Sequence, residues 1–71
     1  MATIVEAPMV GKILKVEKKV GDHVEEDEVV LVMEAMKMEI PIVAPATGTL
    51  REVKVSPGQA VEAEQALAII D

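Results

Sequence analysis

An internal repeat constrains this chain more than any other feature. At an offset of 37 residues, Ala7-Pro8 matches Ala44-Pro45, Gly11 matches Gly48, Val16 matches Val53, Gly21 matches Gly58, and Val24-Glu25 matches Val61-Glu62. Near-matches join Ile13 to Leu50, Asp27 to Glu64, Val30 to Leu67 and Val32 to Ile69. All four glycines fall into matched pairs, and glycine marks backbone that needs positive φ or close approach. Each half reads as one supersecondary unit whose apolar face cannot be buried alone. Two copies packed against each other bury both faces and close a pseudo-twofold domain. The 71 residues make one domain, 1–71, with no room for a second.

The strand pattern is the same in both halves. In the first, residues 3–6 are extended up to Pro8, residues 10–16 alternate imperfectly, residues 20–24 form a turn around Gly21-Asp22, and residues 29–33 are an apolar run of strand length. In the second, residues 40–43 are extended, residues 47–55 alternate at Val53 and Val55, Ser56-Pro57-Gly58 is a turn, and residues 66–70 are the last apolar run. No stretch between breakers is long enough for a periodic helix, although residues 24–28 could make a helical turn. The chain has no Phe, Trp or Tyr and much Val, so the core is aliphatic and suits pleated strands. These features predict an all-β fold: a flattened β-barrel or sandwich of two small antiparallel sheets with a pseudo-twofold repeat, a barrel-sandwich hybrid.

Charge narrows the function. The net charge is −6, and a chain without a basic patch or aromatic rings is a poor partner for nucleic acid. It is repelled by anionic membranes, and no apolar run approaches the ~20 residues that span a bilayer. The N-terminal residues carry no signal-peptide pattern. Without cysteine there is no disulfide or thiolate metal site, and the composition suits a reducing compartment. The expectation is a soluble, cytoplasmic, monomeric module; Met1 fits a free-standing protein or an excised piece.

The connection between the repeats is special, because in such a fold it is a tight exposed hairpin. It reads Glu34-Ala35-Met36-Lys37-Met38-Glu39. Ala-Met-Lys-Met, preceded by a Val/Leu-rich strand and followed by Ile40-Pro41-Ile42-Val43-Ala44-Pro45, resembles the signature of biotin carrier domains, and the likeness runs from Ala7 to Ile70. The two halves are nearly equal in length, so the chain resembles the simpler type that lacks an extra loop in the first half. The resemblance implies a flattened barrel with biotin joined by an amide to Lys37 at the hairpin tip. A biotin protein ligase activates biotin as its adenylate, and the lysine amine attacks it. The domain then serves a biotin carboxylase and a carboxyltransferase of a carboxylase, decarboxylase or transcarboxylase. It catalyses neither step and raises the local concentration of the tethered group. In this frame Lys37 is the attachment site, with Ala35, Met36 and Met38 completing the motif. Met36 and Met38 are adaptable recognition contacts, and strand alternation sets them on one side with Lys37 on the other. Glu34 and Glu39 help the ligase select Lys37 over the other five lysines.

The remaining polar residues read as structural. His23 has no second histidine or cysteine to share a metal. The run Glu25-Glu26-Asp27-Glu28 is a solvated face. Ser56, the only serine, lacks a base and an orienting group, so intrinsic catalysis is not expected. Two other functions share the fold. A lipoyl carrier has its lysine between an acidic and a small residue, against which Met36 and Met38 argue. An unmodified adaptor domain lacks the lysine motif.

Overall fold

Alternating and β-branched segments in each half become strands, and their order repeats. The computed structural model describes residues 2–71. Among these are eight strands: β1 (Thr3–Glu6), β2 (Gly11–Val16), β3 (His23–Val24), β4 (Val29–Ala35), β5 (Met38–Val43), β6 (Gly48–Val53), β7 (Ala60–Val61) and β8 (Ala66–Ile70). No helix occurs among the described residues. The strands form two four-stranded sheets, ordered β1-β8-β6-β3 and β5-β4-β2-β7, with every pairing antiparallel. The repeat carries β1 to β5, β2 to β6, β3 to β7 and β4 to β8, so it converts one sheet order into the other.

The halves do not pack as two separate units, as the repeat alone suggests. They interleave, and each sheet takes two strands from each half. Every connection but one passes from one sheet to the other. The exception is β4–β5, the single hairpin whose consecutive strands pair directly.

Four of the six crossings are made at tight turns. Backbone hydrogen bonds close Lys19–Asp22, Glu25–Glu28, Ser56–Gln59 and Glu62–Gln65 at 3.0, 3.0, 3.1 and 3.2 Å. The third residue of each has positive φ: Gly21 99°, Asp27 72°, Gly58 90° and Glu64 68°, the requirement of a type II turn. In all four, the fourth side chain accepts a hydrogen bond from the first N–H, at 2.9 to 3.1 Å. Residues 24–28 are thus a short strand end and a β-turn rather than a helical turn. The two-residue strands β3 and β7 lie within or just after segments read as turns, because two residues are too few to show a period.

The core lies between the sheets and is wholly aliphatic. Repeat-related pairs fill it: Ile13 with Leu50, Val24 with Val61, Val30 with Leu67 and Met33 with Ile70, each at most 2% exposed. No polar or charged side chain is buried among the described residues. Each of the larger side chains contributes about 1.5–3 kcal/mol on burial. Gly11 and Gly48 mark close approaches. A Cβ on Gly11 would overlap the Glu34 carbonyl and Met33 Cε, and one on Gly48 would overlap the Asp71 carbonyl and come within 2.9 Å of Ile70 Cγ2.

Gly48→Ala is therefore expected to cost about 1–3 kcal/mol, because backbone must move to admit the methyl group. Urea unfolding of the variant measures this, and an unchanged midpoint would mean that the strands do not touch at this point.

Candidate functional site

The hairpin between β4 and β5 is built from a buried strand and an edge strand. β4 lies inside its sheet, with Val30, Leu31, Val32 and Met33 all buried. β5 is an edge strand that carries Pro41, a residue sheets tolerate at their edges. Register runs from Leu31↔Ile42 through Met33↔Ile40 and Glu34↔Glu39 to Ala35↔Met38. Met36 and Lys37 alone remain to turn the chain.

Both turn residues have positive φ, 54° at Met36 and 64° at Lys37. This is the type I′ pattern, which matches the twist of a hairpin and is ordinarily filled by Asn, Asp or Gly. An L-residue with a full side chain in the left-handed region costs about 1–2 kcal/mol. The other four turns return a side chain to their first N–H, but no such bond supports the tip among the described residues. The conformation is imposed by the pairing below it.

Each motif residue has a distinct place. Ala35 is buried at 4% exposure and packs beside Gly11; a Cβ on that glycine would stand 3.3 Å from the Ala35 methyl. Its small size lets β2 and β4 approach. Lys37 is exposed, and among the described residues it has no ion-pair partner. Met36 and Met38 are 83% and 65% exposed, so neither fills the core. Simple alternation about Lys37 does not apply, because Met36 and Lys37 belong to the turn and only Met38 to a strand. Glu34 and Glu39 stand directly opposite one another, both exposed, an unfavourable like-charge pair. Lys12 faces Glu34 from β2. Linear spacing could not reveal Lys12 as a neighbour, because the β2–β4 register shifts between Ile13 and Lys15.

The other polar candidates lie elsewhere. His23, read as a turn residue, is in β3 and pairs through Nε2 with the Glu25 carboxylate. Glu28 accepts from Lys18 Nζ at 2.6 Å and from the Glu25 N–H at 2.9 Å. The Lys18 hydrogen bond, then the Glu25 N–H, hold its carboxyl below the ordinary range, and Lys18 is raised in turn, chiefly by the Glu28 hydrogen bond. The Glu26 N–H donates to Thr47 Oγ1 at 2.9 Å. Within the acidic run Glu28 and the Glu25 and Glu26 N–H groups hold the turn, while the side chains of Glu25, Glu26 and Asp27 are exposed to solvent. Ser56 opens the Ser56–Gln59 turn and is exposed. Among the described residues no cluster of His, Asp or Glu is arranged to hold a metal, no pocket opens, and no helix is long and apolar enough to cross a membrane.

Comparison with known proteins agrees with the geometry. A family model described as "Biotin-requiring enzyme" matches residues 3–70. A biotin carboxyl carrier protein of Streptococcus mutans is 48% identical over 69 residues, 97% of this chain and 53% of that protein. A biotinylated protein TB7.3 homolog of Mycobacterium leprae is 37% identical over 70 residues, 99% of each chain. The crystal structure of the Kluyveromyces lactis urea carboxylase superimposes with a TM-score of 0.95 at 32% identity, covering 100% of this chain and 6% of that one. The chain therefore spans about half of one carrier relative, nearly all of another and a small part of a large carboxylase.

Two outcomes test the local energetics. Replacing the tip by Met36→Asn with Lys37→Gly should raise stability in urea by about 1 kcal/mol, by relieving left-handed strain; a loss would show that the turn is unstrained. The Lys18–Glu28 pair gives a pH signature. Glu28 titrates lower when folded, so its contribution is present above the ordinary carboxylate range and is lost as pH falls through its folded value. Lys18 titrates higher when folded, so its contribution is lost only as pH rises past the ordinary lysine range. Glu28→Gln should therefore lose less stability than the parent between pH 7 and pH 3, read from urea midpoints. An equal loss would remove this pair as the cause.

Proposed function

Because this chain belongs to the biotin-requiring enzyme family, we propose that it is a biotin carboxyl carrier domain and that Lys37 carries the biotin. The observation that carries the reading is the position of Lys37: among the described residues it is an exposed lysine without an ion-pair partner, in a strained two-residue turn at the one local hairpin. A flexible lysine at such an apex fits a group that must enter another protein's active site.

The chain's residues divide the work. Lys37 Nζ, in its neutral form, is the nucleophile that forms the amide. Buried β4 and the small Ala35 hold the turn at a fixed height above the sheet. Met36 and Met38 offer thioether contacts that suit several partner surfaces. The like-charge pair Glu34 and Glu39 helps a biotin protein ligase select Lys37 over the other five lysines. Once attached, biotin supplies a ring nitrogen that accepts and gives up a carboxyl group. The partners in this reading are a biotin carboxylase and a carboxyltransferase of a carboxylase, decarboxylase or transcarboxylase, and residues 1–71 act as a non-catalytic tether. We place the carrier in the cytoplasm as a monomer, in keeping with a net charge of −6 and a cysteine-free sequence.

Intact mass after incubation with a biotin protein ligase, ATP and biotin tests the assignment. One amide-linked biotin on Lys37 is expected, and Lys37→Arg should fold with unchanged circular dichroism and take none. Biotin on Lys37→Arg would place the site elsewhere. Modification only by a lipoate ligase with lipoate would move the domain to the lipoyl class.

A further inference from the structure

The chain has no cysteine, tryptophan or tyrosine, so its five methionines are the side chains most open to two-electron oxidation. Their environments differ widely. Met33 is fully buried and Met9 is half-buried against the core. Met1 lies outside the described residues. Met36 and Met38 are 83% and 65% exposed and flank Lys37 on both sides. Their exposure follows from the backbone: Met36 has the left-handed conformation of the turn, and Met38 begins an edge strand.

We propose that Met36 and Met38 form a reversible oxidation site that controls how the tip is recognised by the enzyme that modifies Lys37. The regulatory part rests on the reading of Lys37 as the attachment residue. The oxidant is a hydroperoxide. A thioether lone pair attacks one peroxide oxygen, the S–O bond forms as the O–O bond breaks, and the departing oxygen takes up a proton and leaves as water or an alcohol. Sulfur gives up two electrons and the peroxide receives them. The return step uses a sulfoxide reductase and a dithiol, whose oxidation to a disulfide releases the oxygen as water.

The position of these two residues separates regulation from damage. A sulfoxide at Met33 would put a polar oxygen into an aliphatic core. At Met36 and Met38 no core contact is lost, so the fold persists while two flexible apolar contacts become polar. A partner surface shaped for thioethers must then bury an oxygen that it has no donor to meet, which disfavours docking. Met33 serves as an internal reference, since it shares the chain and differs in exposure.

The experiment treats the purified, unmodified chain with limiting hydrogen peroxide and maps oxygen addition by peptide mass. Met36 and Met38 should be oxidised well before Met33, with an unchanged thermal midpoint. The oxidised protein should take biotin from a biotin protein ligase about tenfold more slowly than untreated protein, and methionine sulfoxide reductases with a dithiol should restore the rate. The double variant Met36→Leu, Met38→Leu, whatever its own rate, should show the same rate before and after peroxide. Oxidation of Met33 as fast as the tip pair would overturn the proposed site. Equal biotinylation of treated and untreated protein would overturn its regulatory role. If untreated protein takes no biotin at all, the Lys37 reading fails and the regulatory role with it, while the mass map reports separately on the oxidation site.

Discussion

The aliphatic layer between the two sheets is the interaction on which the rest of the domain depends. With no cysteine to form a disulfide and no buried polar side chain among the described residues, burial of Ile13, Leu31, Met33, Leu50, Leu67 and their neighbours must outweigh the cost of ordering the chain. The interleaved topology makes that layer a joint property of both halves. Neither sheet exists until β1 and β3 from one half meet β6 and β8 from the other, and likewise for the second sheet. The type II turns serve this requirement. They carry the chain from one sheet to the other within four to six residues, and each secures its first N–H with its own fourth side chain.

The repeat also explains why the domain has one candidate site and not two. The pairing Met33↔Ile40 corresponds, 37 residues on, to the pairing of Ile70 with Thr3. At the first place the chain continues through Met36 and Lys37, and at the second no turn joins the strands. The pseudo-twofold symmetry is therefore broken at the one hairpin. A symmetric fold becomes a directional one, with a single loop held above a buried strand.

Much of this arrangement was legible in the sequence. The repeat exposed the symmetry, and the extended run at residues 3–6 and the apolar run at residues 66–70 coincide with β1 and β8. The midpoint hairpin was recognisable because a twofold repeat must be joined somewhere. Interleaving was not legible, since a repeat specifies equivalence between strands and says nothing of which sheet each joins. β3 and β7 were hidden because two-residue strands have no period. The placement of Met36 failed for a different reason: alternation assumes extended backbone, and positive φ ends it. Lys12 became visible as a neighbour of Glu34 only once the irregular β2–β4 register was known.

The last two of those failures, at Met36 and Lys12, fall at or beside the tip, and that coincidence has meaning. Elsewhere local preference and global fold agree more closely: Pro57-Gly58 occupies the centre of a type II turn, Gly11 and Gly48 sit where strands touch, and Pro41 lies on an edge strand, while Asp27 and Glu64, which also take positive φ, stand in turns secured by a side-chain hydrogen bond. Between residues 34 and 39 they disagree. Two full side chains occupy left-handed backbone, two carboxylates face each other across the strands, and two large apolar side chains point into water. Each of these costs stability, and none contributes to the core. A chain this small can carry them because the hairpin below is zipped by five consecutive residue pairs and anchored on β4. A concentration of several such features within six residues is best explained by something outside the fold that contacts them. The requirement there is for a reactive amine with adaptable contacts beside it, and a turn optimised for stability would supply neither.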